Sequence, residues 1–240
     1  MTSKFEIKEV SLGSPSYPPL LGLSSTNPPK KLYYIGKLPD SITVACIGIR
    51  KPTEFGIYAC NKITEMFVNN GFTIISGMAL GIDTVAHKAA IKSGGHTVAV
   101  LASGLDTIYP KENEELLNEI LENNGCIISE HPQKIPITKQ NLVSRNRIIT
   151  GLSLGTICMQ AKLNGGSIRA GKYALAHSRP LFFPMPPEGL RHESESEANI
   201  MFETNNPLVT RVKSKSDYSM MLKVLNNTYI ELIGDWLGLN

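Results

Sequence analysis

Unbroken apolar runs recur along this 240-residue chain, and segments with helical spacing lie between them. "ITVACIGIR" (Ile42–Arg50), "FTIISG", "HTVAVLASG", "CIISE", "LGTICMQA" and "PLFFPMP" lack the polar alternation of a strand with one wet face. Strands buried on both faces need helices on both faces, and parallel sheets meet that need through their crossovers. The intervening segments supply them. "TEFGIYACNKITEMFVNNG" places Ile57, Cys60, Ile63, Met66 and Phe67 at helical intervals, and "GIDTVAHKAAIKSGG", "KENEELLNEILENNG" and "SIRAGKYALAHS" follow other runs. The pattern predicts an α/β chain with a mainly parallel sheet covered on both faces.

Three regions are expected. Residues 1–40 carry a dense set of prolines in "SPSYPPLLGLSSTNPPKKLYYIG", which forbids long helices. They read as an extended arm laid on the domain and anchored by Leu20, Leu21, Leu32, Tyr33 and Tyr34. Residues 41–215 form the α/β domain, and residues 216–240 a short tail of one or two helices.

A hydrophobic content of 42% suits one sizeable domain, and a net charge of +3 permits a nucleic-acid partner without demanding one. Cys46, Cys60, Cys126 and Cys158 are widely spaced with no CxxC, so they read as buried reduced thiols. No apolar run reaches about 18 residues, and "MTSKFEIKEV" has no signal-peptide core. The expectation is a cytoplasmic protein with no membrane contact.

Candidate chemistry gathers where strands run into helices, the edge at which open parallel sheets hold ligands. Gly48 and Arg50 in "IGIR" can grip a phosphate through backbone N–H groups and one guanidinium. "SGMALGID" places Ser76, Gly77 and Gly81 in a second such turn, where Gly77 would let a phosphate approach the backbone. It is neither GxGxxG nor GxxxxGK[ST].

Asp83 and His87 follow at i and i+4 on one helix face. As a catalytic or metal pair they lack further ligands, and the plainer reading is a structural brace, an Asp83–His87 hydrogen bond that caps the helix and ties it to a neighbouring loop. In "SRNRIITGLS", Ser144 can cap a helix whose first turn carries Arg145 and Arg147. Two cations at a positive helix end are locally unfavourable unless a phosphate joins them, or unless they bridge to Glu130 or Asp106.

"NGGSIRAGKYAL" places Gly166 and Ser167 at another anion-accepting turn, with Arg169 and Lys172 beyond. Lys139 and Leu142 are further candidate contacts. No aromatic stands out as a stacking platform, no GxSxG nucleophile is present, and "HESESE" (His192–Glu197) reads as a solvated loop.

These stretches, in order and spacing from Ile47 to Pro184, resemble the DNA-processing protein A (DprA/Smf) family. The shared pattern is SG-x-A-x-GID-x-x-AH (Ser76–His87), GG-x-T-x-AVL-x-x-GLD-x-x-YP (Gly94–Pro110), SE (Ser129–Glu130) and RNRII-x-GLS (Arg145–Ser153). The resemblance implies an extended Rossmann-like fold that binds single-stranded DNA, forms homodimers and loads the RecA recombinase onto incoming DNA during transformation. It places DNA phosphates on Arg50, Arg145 and Arg147. It implies no cofactor, no metal and no catalytic residue.

The sequence departs from the family at Leu142, where a phenylalanine is usual, and at Gln160, where a glutamate is usual. "GGSIRAG" replaces SGSLxTA and "FPMPPEG" replaces VPG. The usual N-terminal helical domain and C-terminal winged helix find no counterpart, so a core-only or divergent member is expected. The competing reading is a nucleotide sensor or hydrolase of a related fold. Its PGG-x-GT-x-x-E signature is absent, because "NGGSIRAG" has neither the leading proline nor the trailing glutamate.

Overall fold

A computed structural model describes residues 6–40 and 42–237. Within them the strands are β1 (Lys8–Ser11), β2 (Lys31–Gly36), β3 (Thr43–Ile47), β4 (Thr73–Ser76), β5 (Thr97–Val100), β6 (Cys126–Ser129), β7 (Thr156–Cys158), β8 (Leu181–Pro184) and β9 (Val209–Val212). The helices are α1 (Pro19–Gly22), α2 (Glu54–Asn69), α3 (Ile82–Lys92), α4 (Glu114–Glu122), α5 (Lys139–Ser144), α6 (Asn146–Gly151), α7 (Gly166–Ala176), α8 (Glu197–Met201) and α9 (Tyr218–Leu237).

All these strands join one sheet in the order β1-β2-β6-β5-β4-β3-β7-β8-β9. From β6 to β9 every pairing is parallel. The chain steps from β3 through β4 and β5 to β6, then returns to lay β7 on the other side of β3. That reversal opens a crevice beyond the carboxyl ends of β3 and β7, where ligands bind in folds of this kind.

The period of two along each strand divides the core. Val44, Cys46, Ile74, Ile157 and Phe182 pack on one face with Ile63 and Phe67 of α2 and Ala86 of α3. Ala45, Ile47, Ile75, Val98 and Cys158 pack on the other with Ile148 and Ile149 of α6 and Ile168 of α7. Both faces are dry, which is why these strands read as unbroken apolar runs. The four cysteines are buried free thiols; burial pushes Cys46 and Cys158 up to about 12.

The N-terminal residues enter the sheet rather than lying on it. β2 pairs antiparallel with β6, Tyr33 opposite Ser129 and Ile35 opposite Ile127, and β1 pairs antiparallel with β2. Of the five expected anchors, Leu21 and Leu32 are fully buried, while Leu20, Tyr33 and Tyr34 are half-buried. Among the described residues the C-terminal segment is a short 3-10 turn (Lys215–Asp217) followed by α9, whose Met221 and Leu225 are wholly buried in the α2–α3 face of the core.

Candidate nucleic-acid interface

A groove of about 670 Å³ follows the crevice between β3 and β7. Its walls are the loop after β3, the start of α3, α5 with the start of α6, and the turn into α7. Gly81 sets the depth at the α3 end. It has φ +83°, and a Cβ there would lie 2.5 Å from the Arg50 carbonyl oxygen. The α3 start therefore presses against the β3 loop, and Ile82 N donates to Ile49 O at 3.1 Å. Arg50 projects from that loop, exposed and with no side-chain hydrogen bond or ion pair among the described residues.

Arg145 is set differently. It is 6% exposed, and its Nη1 donates to the carbonyls of Gly77 and, at 2.5 Å, Val100. Gly77 makes room for it: a Cβ there would stand 2.5–2.7 Å from the guanidinium. The glycine thus admits an arginine where the sequence suggests space for a phosphate. Burial lowers the Arg145 pKa, while the nearby Asp83 charge acts in the opposite direction. Arg145 forms part of the groove floor.

Arg147 does not line the groove. Its guanidinium forms a two-pronged ion pair with Glu130, Nη1–Oε1 3.0 Å and Nη2–Oε2 2.6 Å, and its Nε donates to Asn27 O at 3.2 Å. Of the readings open for this arginine, the bridge to Glu130 is the one the geometry holds. The expected cap also moves. Thr138, not Ser144, starts the helical stretch by accepting from Asn141 N at 3.0 Å, and Ser144 Oγ donates back to Asn141 O. Arg145 therefore joins α5 to α6 in helical geometry instead of standing at a free N-terminus.

Ser76 is fully buried, and its Oγ donates to Cys46 O at 2.6 Å, so it ties β4 to β3 away from solvent. Asp83 and His87 share a buried face without bonding to each other. Asp83 Oδ2 accepts from Ala79 N at 3.2 Å, and its pKa is raised by burial against the pull of Arg145. His87 Nδ1 lies 2.8 Å from Thr97 Oγ1, whose proton goes to Ile74 O. Nδ1 must then carry the histidine's proton, which leaves Nε2 buried and without a hydrogen-bond partner among the described residues. Burial first, and the Arg145 charge second, hold His87 down to about 3. The brace is thus two separate ties, Asp83 to the β4–α3 loop and His87 to β5.

The turn into α7 brings Gly166, Ser167 and Arg169 onto the opposite wall. A Cβ at Gly166 would meet nothing within 4 Å, so the backbone there is open to an approaching group. Arg169 is exposed. Lys172, one turn further along α7, is exposed but outside the groove lining. Lys139 and Leu142 of α5 line the groove, Lys139 exposed and Leu142 half-buried. The Gln160 amide lies fully buried behind the groove. It accepts from Thr53 N and donates to Thr53 and Ser196 hydroxyls, each at 2.9 Å, and so fixes the start of α2.

Sequence reasoning missed Lys51 and Lys162, which also line the groove, and Glu195, which lines it too and is ion-paired with Lys162 at 3.1 Å. It also missed an aromatic. Tyr109, 43% exposed, joins Leu80, Pro110, Ile137 and Leu142 around a recess of about 50 Å³ that shares Arg50 and Arg145 with the groove. Among the described residues no cluster of His, Cys, Asp or Glu could hold a metal.

A family model for DNA recombination-mediator protein A matches residues 8–218. The chain belongs to this family. Protein Smf of Synechocystis sp. is 40% identical over 174 residues, covering 70% of this chain and 43% of that protein. The chain spans about half the length of the curated relatives it matches.

The X-ray structure of DNA processing protein A from Streptococcus pneumoniae aligns at TM-score 0.80 and 30% identity, covering 91% of this chain and 74% of that one. DNA processing protein A from Helicobacter pylori, solved in a study of its single-stranded DNA binding mode, aligns at TM-score 0.79 and 28% identity. That alignment covers 93% of this chain and 99% of that one. The Rossmann-like α/β architecture is common to these family members.

Proposed function

We propose that the chain binds single-stranded DNA in this groove, through phosphates and without reading sequence. One observation carries the reading: Arg50, Lys51, Lys139, Arg145, Lys162 and Arg169 converge on one groove at the switch point of the sheet, beside the N-terminus of α7. A phosphate chain gains from each free cation and from the helix end. The relative studied for single-stranded DNA binding shares the fold over nearly its whole length, which supports the same ligand here.

Binding is favoured over turnover because Asp83 and His87, the pair with catalytic spacing, are buried and tied to structural partners. The proposal extends, by family, to passing the strand to the RecA recombinase, to pairing of two copies and to a cytoplasmic setting. Among the described residues no helix is long and apolar enough to cross a membrane.

The test is a salt titration of labelled oligothymidylate binding, read by fluorescence anisotropy, with nucleotide hydrolysis assayed in parallel. Log K should fall linearly with log salt, by roughly 0.7 per phosphate neutralised on a single strand. Salt-independent binding, or turnover of a nucleotide with no strand binding, would overturn the proposal in favour of the nucleotide-site reading.

A further inference from the structure

One half-buried side chain on the groove has the wrong sign for a phosphate site. Glu195 lines it, with Oε1 3.1 Å from Lys162 Nζ and side-chain exposures of 30% and 47%. The other carboxylate on the lining, Asp83, is buried and bound to Ala79 N. Lys162 opens the turn into α7: its carbonyl accepts from Gly165 N at 2.9 Å. Its ammonium therefore belongs to the same wall as the open backbone at Gly166 and the positive end of an 11-residue helix.

Glu195 is not on a free loop, although "HESESE" reads as one. Ser196 Oγ accepts from Gln160 Nε2 at 2.9 Å, and Ala198 N donates to Ala161 O at 2.9 Å. The Asn199 side chain bridges Ala161 N, Met159 O and Pro184 O. The backbone next to Glu195 is thus fixed to the sheet edge. The carboxylate itself is held only by Lys162 and, at Oε2, by Ser194 Oγ at 3.2 Å among the described residues, so rotation of the side chain would release Lys162 while the segment stays in place. Its hydrogen bond with Lys162 holds the carboxyl below its usual range, so it is charged at neutral pH.

We propose that Lys162 is a further phosphate-contacting residue of the groove and that Glu195 is its internal competitor, holding the place of a backbone phosphate until a strand displaces it. This rests on the single-stranded DNA reading above. The competitor keeps Lys162 oriented in the empty groove, at a displacement cost that a strand offsets by engaging the other cations at once.

The experiment compares wild type, Glu195→Gln, Lys162→Ala and the double variant by anisotropy of labelled oligothymidylate across a salt series. Glu119→Gln serves as control, because it removes the same charge from the exposed side of α4, outside the groove lining. Exposed ion pairs are weak, so Glu195→Gln should tighten binding by about two- to fivefold at low salt. Adding Lys162→Ala to Glu195→Gln should undo that gain and flatten the slope of log K against log salt by roughly 0.7.

Glu195→Gln binding no tighter than Glu119→Gln would overturn the competitor. An unchanged slope on adding Lys162→Ala would overturn the phosphate contact. Both leave the groove reading standing if Arg50→Ala still loses affinity. A wild-type chain that binds no oligonucleotide sinks the groove reading and this inference together.

Discussion

The Arg145 guanidinium packs against Gly77 so closely that a methyl group on Gly77 would stand 2.5 Å from Nη1. The two residues, one from the β4–α3 loop and one from the α5–α6 junction, act as a single joint beneath the groove. Gly77→Ala should displace the guanidinium and strip the carbonyls of Gly77 and Val100 of their donor. The expected loss is about 1–3 kcal/mol, the usual range for overpacking a filled site. Urea denaturation measures it, and a variant as stable as wild type would show that Arg145 can move aside freely. Arg145→Ala should cost a similar amount by leaving the same acceptors unpaired. It is therefore a poor probe of binding alone.

Arg50 and Arg147 should give opposite results. Arg50 is exposed, and among the described residues its side chain has no hydrogen bond or ion pair. Arg50→Ala should leave the melting temperature unchanged, weaken strand binding and reduce the salt slope by roughly 0.7. Arg147 is committed to Glu130 and to Asn27 O. Arg147→Ala should lower stability and leave the salt slope as it was. Parallel melting curves and salt titrations check both, and a flattened slope in Arg147→Ala would return that residue to the groove.

His87 sets a pH dependence with a definite sign. Its pKa falls from an ordinary 6.5 to about 3 on folding, because burial and the Arg145 charge disfavour the cation. The unfolded chain then binds more protons than the native one between those values. The contribution to stability is complete above pH 6.5 and is lost as pH falls toward 3. One histidine gives at most roughly 1.4 kcal/mol per pH unit in that window. His87→Gln removes the titrating group and should flatten stability against pH between 6.5 and 4. Urea midpoints at several pH values measure the slope, and an unchanged slope would show that His87 is protonated in the fold.

What could be read from the sequence follows from the range of each interaction. β3, β4 and β5 are legible because burial on both faces writes itself locally as apolar runs. β2 was not: "KLYYIG" follows a proline-rich stretch, and its partner β6 lies some ninety residues on. No local pattern reports that pairing. The groove's place was legible too, since glycines mark the turns at the sheet edge. The aim of its cations was not. Arg145 and Arg147 are two residues apart in one motif, yet one lies under the groove and the other is held by Glu130. Tyr109 went unnoticed because Leu80, Ile137 and Leu142 come to it from three other segments.

That recess yields the remaining prediction. Leu142 lines both the cationic groove and the recess that it shares with Tyr109, so a strand held by its phosphates should carry a base past both side chains. A leucine covers a base by dispersion but offers no π face. Stacking on an aromatic is worth about 1–3 kcal/mol per base. Leu142→Phe should therefore tighten binding to a short oligonucleotide, and Tyr109→Ala should weaken it. Neither should alter the dependence on salt, because stacking releases no counterions from the strand. Titrations of a short oligothymidylate at two salt concentrations separate the effects. A folded Leu142→Phe chain that binds more weakly would mean that the strand passes on the other wall, along Gly166 and Arg169, and that bases do not reach the recess.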